Sequence, residues 1–156
     1  MAVTIAVETP LQDEVRTLVA SLNGYLQPLS PPEFQFQLTA EQMADADTTV
    51  FVMRDDTGEA IGIGALKVHD VTLGEIKRMF TTPAVRGTGA GWKILRAIEA
   101  KARDLGLARL VLETGSTAGF EPAWALYERS GFTPCGPVLD YPDSAYNCFY
   151  EKTLTR

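Results

Sequence analysis

A glycine-rich turn constrains the fold of this chain more than any other feature. The residues Arg86-Gly87-Thr88-Gly89-Ala90-Gly91 follow a strand-like segment that Pro83 ends, and they lead into a long run with helical apolar spacing. Glycines let successive backbone N–H groups turn toward one point, and the N-terminus of the helix adds partial positive charge there. The turn therefore predicts a strand-to-helix junction that binds a pyrophosphate.

Two nucleotide-binding patterns do not fit this turn. A P-loop needs glycine before its lysine and a hydroxyl side chain after it, but here Trp92 and Ile94 flank Lys93. The dinucleotide-binding pattern GxGxxG fits Gly87 and Gly89, but its third glycine falls on Trp92. The sequence therefore excludes both patterns, and Lys93 is expected to be only part of the helix.

The remaining segments predict one mixed α/β domain, residues 1–156. Hydrophobic spacing and turn residues give the order β-α-α-β-β-β-α-β-α-β-β, with helices on both faces of the sheet. The predicted strands are residues 3–8, the two sides of a hairpin at Asp55-Asp56-Thr57-Gly58, 73–82, 107–114 and one segment on each side of Pro142 and Asp143. The first predicted helix runs from Pro10 to Asn23-Gly24, with Leu11 on its apolar face, and the second runs from the N-cap Thr39 to Met43. The third runs from the glycine turn to Gly106, and the fourth covers residues 123–132 with a stop at Gly131.

The distribution of charge distinguishes the glycine turn from the rest of the chain. The net charge of −6 argues against nucleic acid or an anionic membrane as the main partner. Residues 1–70 carry 11 acidic and 3 basic side chains, whereas residues 77–109 carry 8 basic and 2 acidic ones. This concentration of positive charge around the turn favours a bound anion.

Composition and termini narrow the class of protein further. Hydrophobic residues make up 46% of the chain and charged residues 22%, as in ordinary globular domains. The sequence shows neither an export signal nor an apolar run long enough to span a membrane, so a cytoplasmic protein is expected. With one histidine, His69, and two cysteines, no metal site is expected.

Two motifs resemble those of the GNAT (Gcn5-related) N-acetyltransferases, which use acetyl-CoA. The first is PAVRGTGAG, residues 83–91, and the second is AWALYERSGF, residues 123–132, in which a helix with a tyrosine closes on Gly-Phe. The segments EIKRMF, LETG, LYERSGF and CGPVLDYPD look most like a bacterial subgroup, the YsnE-type acetyltransferases. The resemblance implies the GNAT acyl-CoA N-acyltransferase fold, in which helices flank both faces of a mixed, mostly antiparallel sheet.

The resemblance also implies where CoA binds. The strand before the turn is expected to splay from the strand that ends in LETG, so that its free backbone groups pair with the pantetheine arm. The glycine turn is expected to hold the pyrophosphate. The residues assigned to CoA in this way are Met79, Phe80, Thr81, Arg86, Gly87, Thr88, Gly89, Ala90, Gly91 and Trp92.

For the catalytic groups, the resemblance assigns Tyr127 as the general acid that protonates the departing CoA thiolate, although a core aromatic role is the alternative. Glu75 matches the glutamate with which histone-type members deprotonate the amine through water. Glu113, at the end of the central strand, is the rival base and, with Arg78, a candidate to bind the acceptor; ordered water alone is a third alternative for the base. Arg78 and Lys77 are candidates to hold an acceptor carboxylate, or they form a salt bridge with one of the two glutamates.

The expected activity is that of an N-acetyltransferase (EC 2.3.1.-), which moves an acetyl group from acetyl-CoA to a primary amine by direct attack. The acceptor, a small molecule, an amino acid or a peptide, is expected between the segments 25–34 and 139–146. A CoA-binding sensor or interaction module without turnover is the alternative on the same fold. A homodimer is compatible with the resemblance, and no residue identifies its interface.

Overall fold

The computed structural model describes residues 2–154 and has the predicted order of elements. Three-residue 3-10 turns join some of the elements. The strands are β1 (Thr4–Val7), β2 (Thr48–Arg54), β3 (Ala60–Val68), β4 (Leu73–Thr81), β5 (Arg109–Gly115), β6 (Thr133–Cys135) and β7 (Asn147–Thr153). The helices are α1 (Asp13–Leu26), α2 (Ala40–Met43), α3 (Ala90–Asp104) and α4 (Glu121–Arg129).

The strands form one sheet in the order β1-β2-β3-β4-β5-β7-β6, in which only β4 and β5 run parallel. This parallel pairing is short, from Leu73 opposite Arg109 to Glu75 opposite Val111. Beyond that point, β4 and β5 continue without a further pair between them in the described part of the chain. The sheet is therefore split at its centre, as the resemblance implies.

Helices cover both faces of the sheet. On one face, here called the α1 face, Val15, Leu18 and Leu22 of α1 share a core cluster with β2 and β3. On the other, the α3 face, Ile94, Leu95 and Ile98 of α3 are fully buried in a larger cluster. Burial of each such side chain contributes about 2 kcal/mol, so both helices are fixed relative to the split.

Local sequence signals explain several helix ends. Thr39 caps α2, as predicted from the sequence, and the cap is a capping box with Gln42. At Gly106 and Gly131 the φ angles are 76° and 90°, and the chain leaves α3 and α4 there. The amide of Phe132, just after Gly131, donates to the Tyr127 carbonyl at 3.0 Å, which fixes the last turn of α4.

Three details differ from the sequence prediction. Helix α1 begins at Asp13 rather than Pro10, because Gln12 has an extended backbone, and Leu11 is consequently 49% exposed. The same helix passes Gly24 and ends at Leu26. Strand β6 is only three residues long, and the chain from 136 to 146 is irregular and contains two prolines, which cannot donate a ladder hydrogen bond. No helix in residues 2–154 has both the length and the apolar character that a membrane span requires.

Candidate active site

A cavity of about 570 Å³ opens where β4 and β5 diverge. Its walls come from β4, from the start of α3, from α4, and from the connection between α1 and α2. Nine of the ten residues assigned to CoA line it, and so do Tyr127, Glu75, Lys77, Arg78 and Glu113. The tenth, Thr88, uses its hydroxyl within the turn instead, donating to the Val85 carbonyl at 2.5 Å.

The glycine turn and the start of α3 lie at one end of this cavity. Gly87 and Gly89 have φ angles of 81° and 85°, which favour glycine, and a Cβ at either position would meet open space. Helix α3 begins directly after Gly89, and among the described residues no side chain caps it and no acidic residue lies in its first turn. The first amides of a helix lack partners within the helix, so this end is suited to an anion.

Arg86 lies beside the turn but directs its charge over two aromatic rings. Its guanidinium carbon is 5.3 Å from the centre of the Tyr25 ring and 5.6 Å from that of Phe80. Such cation–π contacts hold the side chain at the cavity wall, between the turn and α1.

Strand β4 is irregular just before the turn. Arg78 and Met79 together lie opposite the single residue Gly64 of β3, which makes a β-bulge. A Cβ on Gly64 would lie 2.6 Å from the Met79 sulfur and 2.7 Å from Ile94, so the close approach requires glycine. Arg78 takes a left-handed φ of 56°, a conformation that costs a non-glycine residue about 1–2 kcal/mol.

Tyr127 lies on the last turn of α4 and is 7% exposed. Its ring packs against those of Phe132 and Tyr150, with centroids 6.0 Å away in both cases. Burial, and to a lesser extent the charge of Glu113, raises the pKa of its phenol well above the ordinary value. The phenol therefore keeps its proton at neutral pH and can donate it, and the same side chain also belongs to the core.

Glu75 is the centre of a hydrogen-bonded group that we call the Glu75 cluster, formed by His69, Glu75, Lys77 and Tyr141. One carboxylate oxygen of Glu75 lies 2.8 Å from His69 Nε2. The other accepts from the Tyr141 hydroxyl at 2.5 Å and from Lys77 Nζ at 3.2 Å. Both oxygens are therefore engaged, and Lys77 forms the salt bridge that the sequence offered as one of its two roles.

The surroundings of Glu113 differ from those of Glu75. It points from β5 into the cavity as a partly buried side chain. Burial raises the pKa of Glu113 to about 7, against smaller lowering contributions from a hydrogen bond with Asn147 and from the charge of Lys77. A carboxyl group of this kind exchanges its proton near neutral pH, as a general base should.

Arg78 is a buried cation without an acidic partner. It is 8% exposed, and burial lowers its pKa to about 10, so it is charged at neutral pH. Its terminal nitrogen donates to the neutral amide oxygen of Asn23, and its Nε has no hydrogen-bond partner among the described residues. The alternative of a salt bridge to Glu75 or Glu113 is therefore not realised for Arg78.

Sequence reasoning did not single out Tyr141, Asn23 or the contact of His69 with Glu75. Tyr141 falls in the segment 139–146, which was expected to line the acceptor pocket. Its place at the pocket could therefore be predicted, but its hydrogen bonds with Lys77 and Glu75 could not. Among residues 2–154, no group of three or more His, Cys, Asp or Glu side chains is arranged to hold a metal ion.

Comparisons with known proteins define the class of this fold and site. The model of the acetyltransferase (GNAT) family matches residues 15–132. The IAA acetyltransferase of Azospirillum brasilense is 39% identical over 153 residues, which cover 97% of this chain and 98% of that protein. The uncharacterized N-acetyltransferase YsnE of Bacillus subtilis is 38% identical over 89% of this chain and 93% of its own length.

A solved structure agrees with these relatives. A Klebsiella pneumoniae protein with the provisional name acyl-CoA N-acyltransferase superposes with a TM-score of 0.82 at 31% identity, over 98% of both chains. The family model and these relatives thus identify the chain as an acyltransferase (EC 2.3.1.-). The chain belongs to the GNAT acetyltransferase family, and its fold is the GNAT acyl-CoA N-acyltransferase fold, as the resemblance implied.

Proposed function

We propose that this protein is a single-domain N-acetyltransferase that transfers acetyl from acetyl-CoA to the primary amine of a small molecule or peptide. The observation that carries the proposal is the split between β4 and β5, which opens onto a cavity bordered by the uncapped start of α3. A thioester arm can lie in that split with its phosphates at the helix.

The residues present fit CoA at two places. The amides of Gly87 and of Gly89 to Gly91 offer several donors to the pyrophosphate, whereas those of Arg86 and Thr88 donate to the carbonyls of Pro83 and Val85. The backbone of Met79 to Thr81 has no partner on the β5 side and can pair with the amides of the pantetheine arm, much as a strand would. The fold is also that of an aminoglycoside 6'-N-acetyltransferase complexed with coenzyme A, with a TM-score of 0.73 at 15% identity over 98% of both chains.

Two side chains are proposed to move protons during transfer. The neutral amine attacks the thioester carbon, so that an N–C bond forms and the C–S bond breaks with its electron pair left on sulfur. The proton lost by the amine passes to the Glu113 carboxylate, directly or through water, and the sulfur takes the phenol proton of Tyr127. The pKa of about 7 at Glu113 suits acceptance of the amine proton, and the raised pKa of Tyr127 keeps its phenol protonated at neutral pH.

Glu75, which the resemblance favours as base, is proposed instead to position the pocket. Both of its oxygens already accept hydrogen bonds within the Glu75 cluster, which leaves Glu113 as the more available carboxylate. Glu75 and Lys77 then act by fixing Tyr141 against the acceptor.

Replacing Tyr127 by phenylalanine tests the role of the general acid. We expect kcat for acetylation to fall by about 10²-fold or more, because only the proton donor is removed, while the Kd for CoA stays within about twofold. Thiol release from acetyl-CoA with a panel of amines measures the rate, and calorimetry with CoA measures binding. Phe132→Leu is the matched control, since it alters the packing around Tyr127 but keeps the hydroxyl.

The result would be different for a CoA-binding sensor. Such a protein would show a thermal shift with CoA, but no amine would accelerate thiol release above slow hydrolysis. If CoA at millimolar concentration gave no thermal shift at all, the proposed use of the glycine turn would be wrong.

A further inference from the structure

The unpaired charge of Arg78 indicates a ligand group that the protein itself does not supply. Where this chain needs an arginine for structure, it pairs it: Arg54 donates to Glu8 and Glu14 at 2.8–3.0 Å. Arg78 is more buried than Arg54, yet it contacts only a neutral amide oxygen and retains an unsatisfied Nε. A buried cation in this state is costly unless an anion joins it.

The position of Arg78 shows which ligand would bring that anion. Its contact with Asn23 of α1 places the guanidinium on the α1 face of β4. The glycine turn, by contrast, begins after β4 has ended, at the start of α3 on the opposite face. The glycine turn that would bind the CoA phosphates and the guanidinium of Arg78 therefore lie in separate parts of the cavity. An anion bound by Arg78 would then come from the acceptor.

Other charges of the cavity complement a molecule with two opposite groups. Lys77 is already engaged by Glu75 and Tyr141. Arg86 and Arg129 also line the cavity but are exposed, so Arg78 is the buried cation that an anionic group would meet. Glu113 presents a carboxyl group to the same cavity and suits an amine. An acceptor that carries both an amine and a carboxylate would complement these two groups.

The walls around these charges are aromatic. Phe36 packs edge-on against Tyr141, with ring centroids 5.1 Å apart, and Phe34 stacks on Tyr146 at 5.2 Å. Phe34, Phe36 and Tyr141 all line the cavity. Such walls favour an apolar or aromatic substituent on the acceptor.

We propose that the acceptor is a small amino carboxylate, of the type of an α-amino acid with an apolar side chain, whose carboxylate is bound by Arg78 while its amine faces Glu113. This inference rests on the proposed function and names its substrate class. Arg78 thereby acts as a specificity-determining residue, and its bulge in β4 serves to direct the guanidinium into the cavity.

Matched acceptors test the proposal. L-Phenylalanine, L-phenylalaninamide and phenethylamine share one aromatic group and one amine, and L-leucine, L-leucinamide and isopentylamine form a second set. With wild-type protein, we expect kcat/KM to be on the order of 10- to 100-fold higher for the acid than for the amide or the amine, because a buried arginine forms a charge-assisted hydrogen bond only with the carboxylate. Thiol release is followed at fixed, saturating acetyl-CoA.

Variants at Arg78 show whether that preference comes from the guanidinium. Arg78→Met should raise KM for the acid on the order of 10²-fold and bring acid and amide within about threefold of each other, with the Kd for CoA unchanged. Arg78→Lys should keep part of the preference, because it retains charge but not the paired donors. Arg16→Met, at an exposed ion pair with Glu41, is the control and should change neither value.

The outcomes separate this inference from the proposed function. Equal use of acids, amides and amines by the wild type, or a preference for acids that survives in Arg78→Met, would overturn the inference and leave the acetyltransferase intact. Loss of CoA affinity in Arg78→Met would assign the arginine to the co-substrate and also overturn it. If no amine of any kind were acetylated and CoA did not bind, the proposed function itself would fail.

Discussion

Both faces of the sheet bury charged groups, and two of these groups, Glu99 and Arg78, are neutralised differently. On the α3 face, Glu99 is 2% exposed, and both of its oxygens lie 3.1 Å from Lys152 Nζ. Arg103, one turn further along α3, adds a second cation at 3.4 Å. On the α1 face, Arg78 is almost as deeply buried and has no carboxylate partner within residues 2–154.

This difference distinguishes Glu99, whose charge is paired within the protein, from Arg78, whose charge is available to a ligand. Glu99 joins α3 to β7 through Lys152 and lies away from the cavity, so its partners belong to the protein. Arg78 and Glu113 both line the cavity. Burial favours the neutral form of each, because it lowers the pKa of Arg78 and raises that of Glu113. Both of these incompletely neutralised groups lie at the cavity, where Glu75 and Lys77 are paired with each other. Such a group is expected where binding energy is to come from a substrate.

Removing the carboxylate of Glu113 should have the largest effect on either face. In Glu113→Gln we expect kcat/KM to fall by about 10²- to 10⁴-fold, because the amine loses its proton acceptor. In the wild type, a base of pKa about 7 is protonated below neutral pH, so activity should decrease as the pH falls through 7. That limb of the pH profile of kcat/KM should be absent in the variant.

Glu75→Gln is the comparison for this experiment. It breaks the Glu75 cluster but leaves the proposed base in place, so it should raise KM or lower stability while the limb near pH 7 persists. If instead Glu75→Gln removes the limb and Glu113→Gln retains it, the base is Glu75, as the family resemblance implies.

On the α3 face, Glu99→Gln should reduce stability without affecting catalysis. The change leaves Lys152 with a neutral amide in place of its ion-pair partner, at a cost of about 3 kcal/mol. For a chain of this size, Tm should fall by about 6–12 °C, as measured by calorimetry, with kcat/KM unchanged below the transition. Glu41→Gln, which breaks only an exposed pair with Arg16, should stay within about 0.5 kcal/mol, and an equal loss there would refute the distinction.

The sequence predicted most of the fold because its strongest signals are local. Gly131 and Thr39 act through one helical turn, and Gly89 through its own φ angle, so each can be recognised without knowledge of the tertiary structure. Helix α1 was misplaced at both ends because Pro10 and Gly24 are only weak boundary signals. At the C-terminal end, Leu26 packs against the cluster that α1 shares with β2 and β3, beyond Gly24.

The hydrogen bonding and burial of the candidate site residues could not be predicted from local signals in the same way. Glu75 and Glu113 carry the same side chain, yet one accepts hydrogen bonds from residues 6 and 66 positions away and the other has a pKa of about 7 from burial. Arg78 was chosen for its charge and spacing, whereas its isolation depends on a bulge opposite Gly64. Such properties arise from long-range contacts, which a single sequence does not encode in any local pattern.

The smallest expected effect is also opposite in sign to that at Glu99. Arg78→Met keeps an unbranched side chain of similar length at the same backbone position and removes a buried charge that lacks an ionic partner. The gain from desolvation should exceed the loss of the one hydrogen bond to Asn23, so we expect stability to rise by about 1 kcal/mol and Tm by about 2–4 °C. Chemical denaturation at pH 7 without ligand measures the difference, with Arg16→Met as the control for loss of an exposed arginine. A fall of more than about 1 kcal/mol would mean that Arg78, like Glu99, is held for the fold, since a cation retained for a ligand should stabilise the free protein least.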